Sequence, residues 1–175
     1  MTSGIFRKET EMSFNVVVAG SREFVDYNLL EYKLDKLLIN KSDVCIISGG
    51  ARGADTLGEK YAKRKSLDIV IIEADWDRYG KSAGYKRNTV MAAQADGCIV
   101  FWDGISKGSK HMIDIAKQFE IPVRVVEYKN YLNQKDKYNS LLSQEPRYQY
   151  CYSPNRALEL ANEMLGTTKE RNENE

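Results

Sequence analysis

The chain carries one histidine, three cysteines and three prolines in 175 residues, and these scarcities exclude several chemistries. A lone His111 and no Cys-x-x-Cys pair leave no ordinary zinc site and no Cys–His nucleophile pair. His111 has no evident carboxylate partner in sequence and reads as a partly exposed helix residue, not a general base. Cys45 and Cys98 sit in apolar runs, where a thiol behaves as a small hydrophobe; with Cys151 the count is odd, which fits a reducing, cytoplasmic setting. An excess of charge is missing too. Lys and Arg number 26 against 25 Asp and Glu, a net charge of +1, so nucleic acid is not an expected partner. No apolar run approaches a bilayer span and no signal-peptide core opens the chain, so no membrane partner is expected. No catalytic residue, metal ligand or cofactor is assigned.

What the chain does have is alternation. Phe14–Ala19 is rich in β-branched residues and runs into Gly20, the mark of a buried strand. Residues 26–39 set Leu29, Leu30, Leu34, Leu37 and Leu38 on one side of a helix. Further strands are expected at 44–47, 68–73, 97–101 and 123–126, and helices at 54–65, 85–95 and 108–119. An irregular connection at 74–83 holds Trp76, Tyr79, Gly80 and Lys81. Apolar strands this continuous have no solvated face. The pattern therefore predicts an α/β fold, a Rossmann-like three-layer sandwich with a mainly parallel sheet covered by helices on both sides. Residues 1–13 form a polar leader, 14–127 the domain, and 128–175 a Tyr-rich C-terminal extension with a helix at 154–165 and a frayed end.

Three glycine-bearing turns fall at carboxyl ends of the first, second and fourth strands, the rim where such sheets bind ligands. In the first, Gly20 allows a tight turn, Ser21 offers a hydroxyl and Arg22 a planar fork for phosphate; the alternative is a plain turn with a surface arginine. In the second, Gly49, Gly50 and Gly53 clear side chains from a strand-to-helix turn and leave amides for an anion, with Arg52 adding charge. Asp55 there either accepts a ribose hydroxyl or caps the amides itself. This is not a P-loop, because no Lys followed by Ser or Thr comes after the last glycine. In the third, Trp102 either stacks on a base or packs in the core, and Asp103 suits sugar hydroxyls. Gly104 continues that loop, Ser106 suits a helix cap, and Gly108 and Ser109 begin an amide-rich helix start. Lys81, Arg87 and Asn88 lie around the start of the helix at 85–95 and either reach this rim or form a solvated face.

Taken together these residues resemble a known family. Gly20-Ser-Arg-Glu-Phe24, Ser48-Gly-Gly-Ala-Arg-Gly-Ala-Asp55, Gly80-Lys-Ser-Ala-Gly84 with Arg87, Asn88 and Met91, Ala95-Asp96, and Phe101-Trp-Asp-Gly104 with Ser106 and Gly108 are similar to the YspA-like (DUF2493) group of the SLOG superfamily. The likeness spans residues 14–126. The superfamily includes LOG phosphoribohydrolases, DprA-type DNA-processing proteins, molybdenum-cofactor carriers and sensor domains of antiviral systems. The resemblance implies a Rossmann-like fold and a nucleotide or nucleotide-derived ligand at the rim. LOG hydrolases carry Pro-Gly-Gly-x-Gly-Thr-x-x-Glu after the fourth strand; aligning Gly108-Ser109 with Gly-Thr puts Met112 in place of the catalytic glutamate. A thioether cannot act as a general base. Arg87 matches the family's helix arginine, so phosphate binding is the expectation and the known hydrolysis is not.

The expected function is binding of an ADP-ribose-like or cyclic nucleotide, as a sensor or a sequestering protein in antiviral signalling or counter-defence, by a homo-oligomer. One alternative is a nucleoside 5′-monophosphate N-glycosidase that uses Asp103 or Asp55. The other is a DprA-like single-strand DNA binder, disfavoured because backbone tracking needs a basic groove.

Overall fold

The structure, a computed structural model, describes residues 13–130 together with 133 and 136. The expectations for residues 1–12, for Cys151, for the helix at 154–165 and for most of the tyrosine-rich extension lie outside the described residues. In the second of two compact units, Glu127–Glu175, residues 128–130 are helical.

Strand and helix alternate as β1 (Phe14–Gly20), α1 (Tyr27–Leu38), β2 (Val44–Ser48), α2 (Ala54–Lys65), β3 (Asp68–Ile71), α3 (Trp76–Tyr79), α4 (Ala83–Ala92), β4 (Gly97–Trp102), α5 (Lys107–Gln118) and β5 (Val123–Glu127). The five strands form a parallel sheet in the order β3-β2-β1-β4-β5. β1 is central because Val16, Val17 and Val18 are fully buried on both faces. Its Val17 and Ala19 join a cluster with Met91, Val100, Met112 and Ile113, on the side of α4 and α5. Val18 points the other way, against Gly58 of α2. This two-residue alternation makes one strand serve both layers.

α1 starts where Asp26 accepts a hydrogen bond from the Leu29 amide at 2.9 Å. It buries Leu29, Leu30, Leu34 and Leu38, with Leu37 half-buried at the margin. Between β3 and α4 the expected irregular connection is itself ordered. Asp75 caps the single turn of α3, and a 3-10 turn at Gly80–Ser82 leads directly into α4. α4 accordingly spans 83–92 and not 85–95.

Coverage of the sheet differs from the expectation at its ends. Val70 and Ile71 of β3 are 41% and 47% exposed, and Val125 of β5 is 38% exposed. β3 is an edge strand, so its apolar run does not imply two covered faces. Among the described residues no helix is long and apolar enough to cross a membrane.

Gly58 lets α2 approach β1. A Cβ there would stand 2.8 Å from Val18 Cγ1, too close for a side chain. Alanine in a helix interior normally gains about 1 kcal/mol over glycine. Gly58→Ala is expected to lose about 1–3 kcal/mol instead, by overpacking. Urea denaturation checks this, and Val18→Ala in the same chain is expected to recover most of the loss.

Candidate functional site

The strand order reverses between β1 and β4, and there the two loops are stitched together by hydrogen bonds. The Ser21 amide donates to the Phe101 carbonyl at 2.9 Å, and the Asp103 amide donates to Ser21 Oγ at 3.1 Å. Phe24 stacks on Phe101 with ring centroids 4.6 Å apart, anchoring the first loop beneath the rim. Ser21 Oγ lies 3.1 Å from Ser106 Oγ, which donates to Ser109 Oγ at 2.7 Å. Ser106 occupies the N-cap of α5 but makes no cap hydrogen bond to its amides. The positive end of a 12-residue helix is therefore left uncapped by that side chain beside a run of hydroxyls.

Asp103 is fixed by its own loop. Its Oδ1 accepts from the Ser106 amide at 2.8 Å and the Ile105 amide at 3.1 Å. Burial pushes its carboxyl up, but the Ser106 and Ile105 amides and the Ser106 and Ser21 hydroxyls outweigh it, and the group stays below the usual carboxylate range.

The second loop is organised by Asp55, which is 3% exposed. Its Oδ2 accepts from the Gly49 amide at 3.2 Å and the Ala51 amide at 3.4 Å, while Ser48 Oγ takes the Gly50 amide at 3.1 Å. These amides were expected to await an anion; instead the chain's own side chains hold them. Asp55 thus satisfies the amides of the turn itself, and α2 begins without a side-chain cap. Arg87 stands 3.7 Å from Asp55 and donates to the Gly49 carbonyl, and so ties α4 to this loop. Burial pushes the Asp55 carboxyl up to about 6, against the pull of Arg87 and of the Ala51 and Gly49 amides. Burial also lowers Arg87 from its ordinary range, with Asp55 opposing and Arg22 adding to the shift. Gly53 has φ +90°, and a Cβ there would collide with the Ser21 carbonyl oxygen, so it brings the first two loops together.

Two adjoining clefts open on this rim. The first, about 360 Å³, is lined by Gly20, Ser21, Arg22, Asp55, Lys81, Arg87, Asn88, Asp103, Ser106, Gly108 and Ser109 among the expected residues. The second, about 560 Å³, takes Gly49, Gly50 and Arg52, and shares Arg22 and Arg87 with the first. Asn88 is buried and donates from Nδ2 to the Gly108 carbonyl at 3.2 Å, locking α4 against the start of α5; the same atom lies 3.3 Å from His111 Nδ1. Gly53, Trp102 and Gly104 line neither cleft.

Comparison with known proteins identifies the family of the fold. The described family of YspA, cpYpsA-related SLOG proteins matches residues 14–79. The Gene 61 protein of Mycobacterium phage D29 is 34% identical over 115 residues, covering 62% of this chain and 92% of that protein. The chain belongs to this SLOG family. Among solved structures, DNA processing protein A (DprA) from Streptococcus pneumoniae superposes with a TM-score of 0.53 at 20% identity, over 65% of this chain. This chain spans half the length of that DprA chain, and the likeness is one of fold.

Within this SLOG domain one expected role moves. Trp102 is half-buried, packs against the Val17–Met112 cluster and donates from Nε1 to the Ser106 carbonyl at 3.2 Å. It supports the α5 loop and does not face the cleft as a base-stacking platform. Trp76, 51% exposed, lines both clefts, and Tyr85, 42% exposed, lines the first. Neither stands in a glycine loop, where the sequence signal was sought. Met112 is buried and forms part of the first cleft's lining, so the position aligned with the LOG glutamate presents a thioether.

Asp55 makes the domain's stability depend on pH. Its folded value lies above the ordinary 3.8, so folding favours the protonated acid. That contribution is complete below about pH 4 and is lost as pH rises through about 6. Relative to Asp55→Asn, the native chain is expected to gain about 2–3 kcal/mol between pH 7 and pH 4. Paired urea titrations at several pH values measure this; a difference that stays flat across the range contradicts it.

Proposed function

We propose that this SLOG domain binds a nucleotide or nucleotide-derived ligand at the first cleft, and acts by sensing or sequestering it. The observation that supports this most is the meeting of three kinds of group in one cleft. The uncapped start of α5, with the Ser21, Ser106 and Ser109 hydroxyls, suits a phosphate. Arg22 and Arg87 add planar donors, and Lys81 a further positive charge. Trp76 and Tyr85 supply flat apolar surface for a base. A volume of about 360 Å³ falls in the usual range of small-molecule sites, ~300–1,000 Å³.

Isothermal calorimetry with AMP, ADP-ribose, NAD and cyclic nucleotides tests the reading. A member of this panel is expected to bind, and Arg22→Ala or Trp76→Ala each to weaken it about tenfold, the effect of losing a charge-assisted contact or a stacked base. Both side chains are exposed, so folding should be unaffected. A folded protein that binds none of the panel contradicts the proposal.

A second reading rests on Asp55. A carboxyl held near 6 in a cleft is suited to general acid–base work, whereas Asp103 is tied to amides and stays ionised. N-glycosidic cleavage of a nucleoside 5′-monophosphate is the reaction this would serve. Chromatography for free base is expected to show release by the native chain and more than about a hundredfold less by Asp55→Asn, within the usual span for an acid–base group. Undetectable release from all common monophosphates removes this second reading and leaves the first intact.

A further inference from the structure

The chain's one histidine, His111, lies just past the first turn of α5 and lines neither cleft, but its contact Asn88 lines the first. The half-buried ring meets Tyr85 of α4 with centroids 4.6 Å apart, and its Nδ1 lies 3.3 Å from Asn88 Nδ2. Which of these two nitrogens donates is decided by what else holds Asn88. Arg87 Nε, which can only donate, gives a hydrogen bond to Asn88 Oδ1 at 3.1 Å. The Gly108 carbonyl, which can only accept, takes one from Asn88 Nδ2 at 3.2 Å. These partners fix the amide, oxygen toward Arg87 and nitrogen toward α5. Nδ2 therefore donates to His111 as well. The ring's Nδ1 is a bare acceptor, and its one proton sits on Nε2.

A second proton on this ring sets a donor on Nδ1 against the Asn88 donor. Turning the amide over to meet it sets Oδ1 against the Gly108 carbonyl and Nδ2 against Arg87 Nε, so both other bonds are lost. Asn88 is buried, which makes each lost partner costly. We propose that His111 is a proton-operated latch: neutral, it holds Asn88 and so pins Arg87 and the start of α5 in the wall of the first cleft; protonated, it releases both. Arg87, Asn88 and Gly108 all line that cleft, so the firmness of its wall answers to acidity. The latch goes beyond the nucleotide reading and stands without it. On α5, Lys107 and Asp114 stand one turn to either side of His111, and Asp114 pairs with Lys110. From α4 the ring meets Tyr85 and Asn88, and Arg87 acts through Asn88. Burial holds the imidazole below its ordinary 6.5 against the pull of Asp114, the direction the latch requires. Neutral His111 thus contributes stability in full above that value, and the contribution is lost as pH falls, opposite in sign to Asp55.

With one histidine in the chain, the imidazole Cε1–H gives a single histidine signal in proton NMR. On titration of the full chain that signal is expected to move with a midpoint below 6.5. The Asn88 side-chain amide and Arg87 Nε–H signals are expected to move with the same midpoint, and an Asn88 signal that does not follow His111 overturns the latch. Arg87→Lys keeps the charge but removes the Nε–H that orients the amide, so Asn88 can turn its oxygen to a protonated ring. The His111 midpoint is expected to rise in that variant; a midpoint that stays in place is set by burial and charge alone and overturns the latch. His111→Gln removes the imidazole proton and leaves Asp55 to titrate. The acid shift of the Asn88 amide is expected to be lost there, whereas a shift of native size assigns the movement to Asp55 and overturns the latch. Should Arg87→Lys not fold, the native titration and His111→Gln decide the matter.

Discussion

Asp55 reaches from the first turn of α2 to the amides of Gly49 and Ala51 and faces the Arg87 guanidinium 3.7 Å away, and both clefts depend on that contact. It closes the β2–α2 turn from within and draws α4 across the sheet toward the same point. Gly53 then lets this turn touch the β1 loop. A carboxyl so deeply buried costs free energy when ionised, as its raised titration reflects. Its burial here brings three chain segments together at the cleft.

The topology explains why the gathering occurs at β1 and β4. With strand order β3-β2-β1-β4-β5, the connections leave β1 and β4 in opposite directions, α1 and α2 on one side and α4 and α5 on the other. The loops at their carboxyl ends must part, which leaves a crevice at the point of reversal. Ser21 bridges it below by accepting from the Asp103 amide, and the N-terminus of α5 opens above. Nothing specific to a ligand is needed to form the crevice; its chemistry comes from the side chains on its walls.

Much of this was legible in the sequence. Strand and helix periods located β1, α1, β2, α2, β4 and α5 to within a residue or two, because each carries a buried face with a clean repeat. The convergence of three glycine turns followed from strand direction alone. Other features were not visible for physical reasons. A glycine turn announces that amides are accessible, but not whether Asp55 and Ser48 of the same turn already satisfy them. Trp102 and Trp76 look alike as residues; the first sits at the end of a buried strand and inherits its packing, while the second begins a single helical turn and stays half exposed at the rim. β3 reads as apolar as the central strands, and sequence alone does not show that it lies at the edge, where Val70 and Ile71 stay partly exposed. The connection at 74–83 hid α3 because a four-residue helix is too short to show a period.

The row Ser21–Ser106–Ser109 has a property that a row of arginines lacks. A hydroxyl both gives and receives, so the row can run in either sense, and reversing it turns a donating end into an accepting one with no heavy atom displaced. A terminal phosphate monoester, which is about half protonated near pH 6, would find a partner in the row in either state. What changes with acidity at this site is Asp55, not the hydroxyl row.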